Sequence, residues 1–164
     1  MSGIFGALGL QKVSVDVYRA RSSVDLLSHR GPDDAGYLFF HTGARHNSEI
    51  SFYQNLTDDV FRSDLLASID NEGVQALLAS HDWDLFLAHR RLSILDLSAN
   101  AHQPMSELSK NIWLSLDGTI YNFKDLRQEL ERFGYKFQTK SCEEVVIYAY
   151  AQWGIECIKR FNGM

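Results

Sequence analysis

Cysteine is scarce in this chain: there are two in 164 residues, Cys142 and Cys157, and they form no CxxC pair. That argues against a disulfide-stapled scaffold and against paired-cysteine zinc modules, and it suggests reduced thiols in a cytoplasmic setting. Long basic runs are missing too. No more than two Lys or Arg stand together and the formal net charge is −5, so no nucleic-acid partner is expected, because a phosphate-binding face needs clustered cations. No apolar stretch approaches the roughly 18 residues of a membrane-spanning helix, so no membrane partner is expected. The apolar start, Gly3 to Leu8, has no basic segment ahead of it as a secretory signal would. His29 and His89 lack the close Cys, His or Asp spacing of a metal site, so no metal is expected.

What is present is material for a core. Hydrophobic residues make up 45% and aromatics 12%, enough for one folded domain over residues 1–164, or two small ones, rather than a disordered chain. Ile4, Phe5, Ala7 and Leu8 read as a strand punctuated by glycines. Val17, Ala20, Val24 and Leu27 recur at helical spacing and predict a helix over 16–28. The turn-rich HRGPDDAG of 29–36 follows, then a strand over 37–40. Between 41 and 82 the pattern is faint; it suggests a strand over 50–53 and a short helix over 58–69. Strands are predicted over 85–89 and 112–116, the second ending in the turn Asp117-Gly118. Asn122 is expected to cap a helix that Gly134 ends. Ser141, with Glu144 three residues on, opens the next helix as a capping box, and a short further helix is expected over 155–161. Pattern alone gives an α+β or layered α/β protein and no enzyme class.

Several ordered blocks carry a resemblance: MSGIFG at the start, HRGPDDAG at 29–36, LAHRRLSILDLS at 87–98 and Gln103-Pro104-Met105. DGTIYNFKDLRQELERFGYKF at 117–137, SCEEVVIYAYAQWG at 141–154 and FNGM at 161–164 complete the set. Together they resemble the class II glutamine amidotransferase domain of the asparagine synthetase family. The resemblance covers residues 1–40 and 85–164, with 41–84 reading as an insertion. It implies the four-layered α/β/β/α sandwich of N-terminal-nucleophile hydrolases, truncated at the C-terminus. It also implies a synthetase domain, in cis or in trans, that uses ATP and magnesium; this domain itself is expected to need no cofactor. If strands are missing, an exposed sheet edge would favour a homodimer.

The resemblance also assigns chemistry to positions. In the family, loss of Met1 exposes a cysteine whose thiolate attacks the side-chain amide of glutamine, with the free α-amine as base. Here that residue is Ser2, a weaker nucleophile. Asp117 stands where an asparagine side chain helps stabilise the oxyanion, and an ionised carboxylate donates no hydrogen bond. Gly118 keeps a backbone N–H for that role. Thr119 replaces a glutamate that orients glutamine. Arg91 matches the arginine that grips the α-carboxylate through a bidentate guanidinium. Cys142 replaces the aspartate that receives the α-ammonium, while Glu143 beside it is expected to point elsewhere.

Four altered positions, 2, 117, 119 and 142, suggest impaired or absent glutamine hydrolysis, whether natural or engineered. Cys142 at a helix N-terminus would have a lowered thiol pKa, but it lacks the amine base and is a poor relocated nucleophile. The charged loop of Arg30, Asp33 and Asp34 reads as internally salt-bridged, and His89 as a stabiliser of the strand near Arg91. The ligand expected is glutamine or a related amino acid. Two other readings stay open: a structural support for a synthetase that uses free ammonia or another amine, or a ligand-binding or protein-interaction module.

Overall fold

The computed structural model describes residues 2–9, 15–41, 50–55, 67–80, 82–94 and 99–164, with the backbone alone for 50–55. The helix expected over 58–69 falls mostly outside them, and its last two positions with clear form, Ala67 and Ser68, are extended.

A five-stranded sheet organises the N-terminal half. Its strands are β1 (Gly3–Leu8), β2 (Asp34–Phe40), β3 (Ile50–Asn55), β4 (Ala67–Ser68) and β5 (Leu85–Arg91), in the order β1-β5-β2-β3-β4. Pairing is antiparallel except between β3 and β4. Strands β2 and β5 run longer than the sequence suggests, because each is paired on both edges and the polar ends Asp34 and Arg91 lie opposite one another.

Side chains alternate across a strand, so register decides which residues share a face. Phe39 stands opposite Phe86 and Tyr37 opposite Ala88. This face is covered by Ala20 and Val24 of helix α1 (Val17–Asp25) and by Val74 and Leu78 of helix α2 (Glu72–Ser80). Phe39 packs on Phe86 at 4.7 Å and on Trp83 at 5.9 Å between ring centroids, and each such pair adds about 0.5–1.5 kcal/mol beyond area burial. Helix α1 is shorter than expected. Its start is set by Asp16, whose side chain accepts from Arg19 N, and residues 26–30 continue only as turns.

The opposite face of β5 carries His89 and Arg91. Against it lies the segment 102–103: a Cβ on Gly36, the partner of His89, would sit 1.9 Å from the Gln103 carbonyl oxygen. Only glycine allows that approach. The C-terminal half holds the two-stranded sheet of β6 (Met105–Ser106) and β7 (Trp113–Leu114), then helices α3 (Phe123–Arg132) and α4 (Cys142–Trp153). Strand β7 is shorter than the predicted 112–116, since Leu116 N donates to the Gln103 side chain instead of a neighbouring strand. Leu126, Leu130, Val145 and Ala149 form the core between α3 and α4, and Ile147 on another side of α4 meets Ala101 and Met105.

Both predicted caps differ in detail. Asn122 gives no side-chain cap to α3; it holds the chain end, donating to Arg160 O and accepting from Asn162 N, each at 2.9 Å. Ser141 does cap α4, accepting from Glu144 N. Glu144, however, turns its carboxylate to Gln138 N, Thr139 N and Thr139 Oγ1, so the capping box is half made. Gly134 terminates α3 with φ of 96°, a left-handed conformation that suits glycine. The short segment after α4, Gly154–Arg160, is 3₁₀. Residues 162–164 then return antiparallel to 119–121, with Thr119 N donating to Met164 O at 2.8 Å and Met164 N to Thr119 O at 3.0 Å.

Candidate functional site

Ser2 stands just ahead of β1, level with the end of β5. Its hydroxyl accepts a hydrogen bond from Leu92 N at 3.1 Å, and its backbone N–H donates to Asp117 Oδ1 at 2.8 Å. Arg30, from the turn after α1, bridges the two: Nε donates to Ser2 O at 2.8 Å and a terminal nitrogen to Asp117 Oδ2 at 3.2 Å. Asp117 thus places a carboxylate, balanced by one guanidinium, against the backbone nitrogen of residue 2.

The loop expected to be internally salt-bridged is bonded outward instead. Arg30 reaches Asp117, Asp33 accepts from Ser93 N at 2.7 Å, and Asp34 lies 2.5 Å from His102 Nδ1. The reason is burial: Asp34 is 1% exposed at the start of a central strand, and a buried carboxylate needs partners wherever the fold brings them.

A cavity of about 280 Å³ opens beside Ser2, at the small end of ligand pockets. Ser2, Arg91, Asp117, Gly118, Thr119 and Cys142 all line it. These six come from four separate stretches of chain. Sequence reasoning missed two further polar residues of the lining. Glu143, expected to point away, lines the same cavity from the first turn of α4. Gln103 also lines it; its Oε1 accepts from Leu116 N at 2.7 Å and its Nε2 donates to Glu143 Oε1 at 3.1 Å. The only sequence signal for Gln103 was its place in the Gln-Pro-Met block.

Two titrations bear on the chemistry. The Cys142 thiol is pushed up to about 11, first by burial and then by the Glu143 carboxylate beside it. This overturns the expectation of a lowered thiol at a helix N-terminus: desolvation and a like charge outweigh the helix dipole. His89 is fully buried with Nδ1 2.8 Å from Ser115 Oγ. Burial lowers its pKa to about 4, so it is neutral near pH 7. It shares a face of β5 with Arg91 and is not among the residues lining the cavity.

The glutamine amidotransferase domain family matches residues 50–164. The chain belongs to that family. More finely, it is a class II glutamine amidotransferase domain related to those of asparagine synthetases. It is 39% identical over 84 residues to the glutamine-hydrolyzing asparagine synthetase 1 of Bacillus subtilis, covering 51% of this chain and 13% of that protein. It is 34% identical over 109 residues to a putative glutamine-hydrolyzing asparagine synthetase 2 of Methanocaldococcus jannaschii, covering 58% and 20%. The chain therefore matches only a small part of the length of these relatives. In fold it resembles the glutamine phosphoribosylpyrophosphate amidotransferase of B. subtilis. The TM-score there is 0.64 at 19% identity, over 99% of this chain and 33% of that one. The likeness supports an α+β fold of the N-terminal-nucleophile type. Among the described residues no helix is long and apolar enough to cross a membrane.

Proposed function

We propose that this chain is the amidotransferase domain of an asparagine-synthetase-like enzyme, that its cavity binds glutamine or a related amino acid, and that glutamine hydrolysis is impaired. One observation carries the reading: the Asp117 carboxylate sits 2.8 Å from the nitrogen of Ser2, in the wall of the cavity that Arg91 also lines.

Amide hydrolysis at residue 2 has definite requirements. The side chain of residue 2 adds to the amide carbon and gives up its proton to the free α-amine. The carbonyl oxygen becomes an oxyanion. Ammonia leaves with a proton, and water then cleaves the acyl group to release glutamate. Ser2 is a hydroxyl, harder to ionise than a thiol. Once Met1 is removed, Asp117 would pair with the α-ammonium and keep it protonated, and it would offer no donor to the oxyanion. The binding wall is better preserved than the reactive one, since Arg91 can pair with a carboxylate. In this reading ammonia, ATP and magnesium matter only through a synthetase partner.

The test is glutamate release from glutamine by the unchanged chain and by Ser2→Cys, with binding measured by calorimetry. The expected result is saturable binding with no release by the unchanged chain. Ready glutamate release by the unchanged chain would refute impairment, and absence of binding in both would refute the amino-acid site.

A further inference from the structure

We propose that Glu143, aimed by Gln103, is the residue that recognises the ammonium group of the ligand, and that the cavity therefore selects amino acids with a free α-amine. This rests on the reading of the cavity as an amino-acid site, and it assigns to position 143 a role that the residue at 142 cannot fill. The Cys142 thiol is 2% exposed and carries no charge to offer an ammonium group.

The charges around the cavity single out Glu143. Asp117 is engaged by Arg30 and by Ser2 N. Glu143 meets two neutral donors, Gln103 Nε2 at 3.1 Å and Cys142 Sγ at 3.5 Å, and makes no ion pair among the described residues. Its carboxylate is half-buried in the first turn of α4. A half-buried carboxylate with neutral partners and no counter-charge is well placed to receive a cation. Arg91 supplies positive charge in the same cavity. Arg91 and Glu143 together complement a carboxylate and an ammonium, the two charges of an amino acid.

Gln103 makes the carboxylate's position specific. Its amide orientation is locked, because Oε1 accepts from Leu116 N at 2.7 Å while Nε2 reaches Leu116 O at 3.4 Å and Glu143 Oε1 at 3.1 Å. Reversing the amide would leave Leu116 N without its acceptor and set two oxygens against each other. The Gln103 side chain thus presents its NH₂ to Glu143 and leaves the carboxylate's remaining lone pairs for the cavity. Gln103 is a positioning residue; Glu143 is the one that would touch the ligand.

The experiment is calorimetric titration of the full chain with L-glutamine and with 4-carbamoylbutanoate, the same molecule without the amine. The unchanged protein should prefer glutamine by about tenfold to hundredfold, the worth of a hydrogen bond to a charged group. Glu143→Gln, which keeps the shape and removes the charge, should reduce that preference to within about threefold while leaving the affinity for 4-carbamoylbutanoate little changed. Glu143→Asp, which keeps the charge, should retain part of the preference and serves as a second folded variant. If Glu143→Gln is folded and keeps the full preference, or if Glu143→Asp loses as much as it does, the inference falls and the amino-acid site stands. If the unchanged protein binds neither compound, both fall.

Discussion

Asp117→Asn in a Ser2→Cys background gives the sharpest test of why the site should be poor at hydrolysis. The carboxylate has two attachments, Oδ1 to Ser2 N at 2.8 Å and Oδ2 to Arg30 at 3.2 Å. An asparagine can keep the first through its own Oδ1, so residue 2 should stay in place. Its NH₂ then takes the place of Oδ2, where it cannot pair with the Arg30 guanidinium because both are donors; the partly exposed Arg30 side chain must move aside, which leaves the NH₂ as a free donor in the cavity wall. The change therefore removes a negative charge from the wall and adds a donor. One oxyanion donor is worth about 2.7–4 kcal/mol, or 10²–10³ in rate. The structural cost is small. The Arg30 and Asp117 side chains are 37% and 28% exposed, so solvent screens the pair and its loss costs about 0–1 kcal/mol. That corresponds to a melting shift of at most about 2–4 °C for a domain of this size. The assay is glutamate release by Ser2→Cys and by the double variant, with intact mass confirming removal of Met1. A double variant that folds, has lost Met1 and is no faster than Ser2→Cys would refute this account of Asp117.

Other outcomes follow from the packing and the titrations. Trp83→Ala should destabilise the fold by about 3–5 kcal/mol in chemical denaturation, since Trp83 is 1% exposed, packs tilted against Phe39 and donates its indole N–H to Leu78 O. Gly36→Ala should abolish cooperative folding or shift the 102–103 segment, because its Cβ would lie 1.9 Å from a backbone oxygen; a melting curve like that of the unchanged chain would contradict the close packing. His89 has its pKa lowered from 6.5 to about 4 by burial. Below pH 6.5 the unfolded chain binds a proton that the folded chain refuses, so the stability from neutral His89 is complete above pH 6.5 and is lost as pH falls toward 4. The loss is about 3 kcal/mol, and His89→Asn should flatten that part of the stability–pH curve. Cys142, with its thiol pushed up to about 11, should resist iodoacetamide at pH 8 in the folded protein and react once unfolded.

Much of the frame was legible because it depends on local rules. A glycine-punctuated apolar run marked β1, helical spacing marked α1, α3 and α4, and Gly134 marked a helix end with its left-handed backbone. Helix α2 was not found: Glu72–Ser80 carries a glycine at its second position and shows its apolar residues in a run, Ala76 to Ala79, that has no clear face until β2 and β5 supply one. Asn122 has the composition of a cap, yet Arg160 and Asn162 compete for its amide and win. The outward bonding of the 29–36 loop was hidden for the same reason, since no local pattern says that Asp34 will meet a histidine 68 residues away.

The residue types at the site are local facts of the chain: a hydroxyl at 2, a guanidinium at 91, a carboxylate at 117 and a thiol at 142. Those types, with helix and strand periodicity, are local properties of the chain and can be read without coordinates. Which of these groups face one another is a property of the folded chain. The fold set Ser2 N against a carboxylate 115 residues on, turned Glu143 into the cavity, and fixed it with an amide 40 residues before it. These are non-local contacts, made when distant stretches of the chain pack together. They reversed the Cys142 titration too, because burial and a neighbouring charge exist only once the chain has folded.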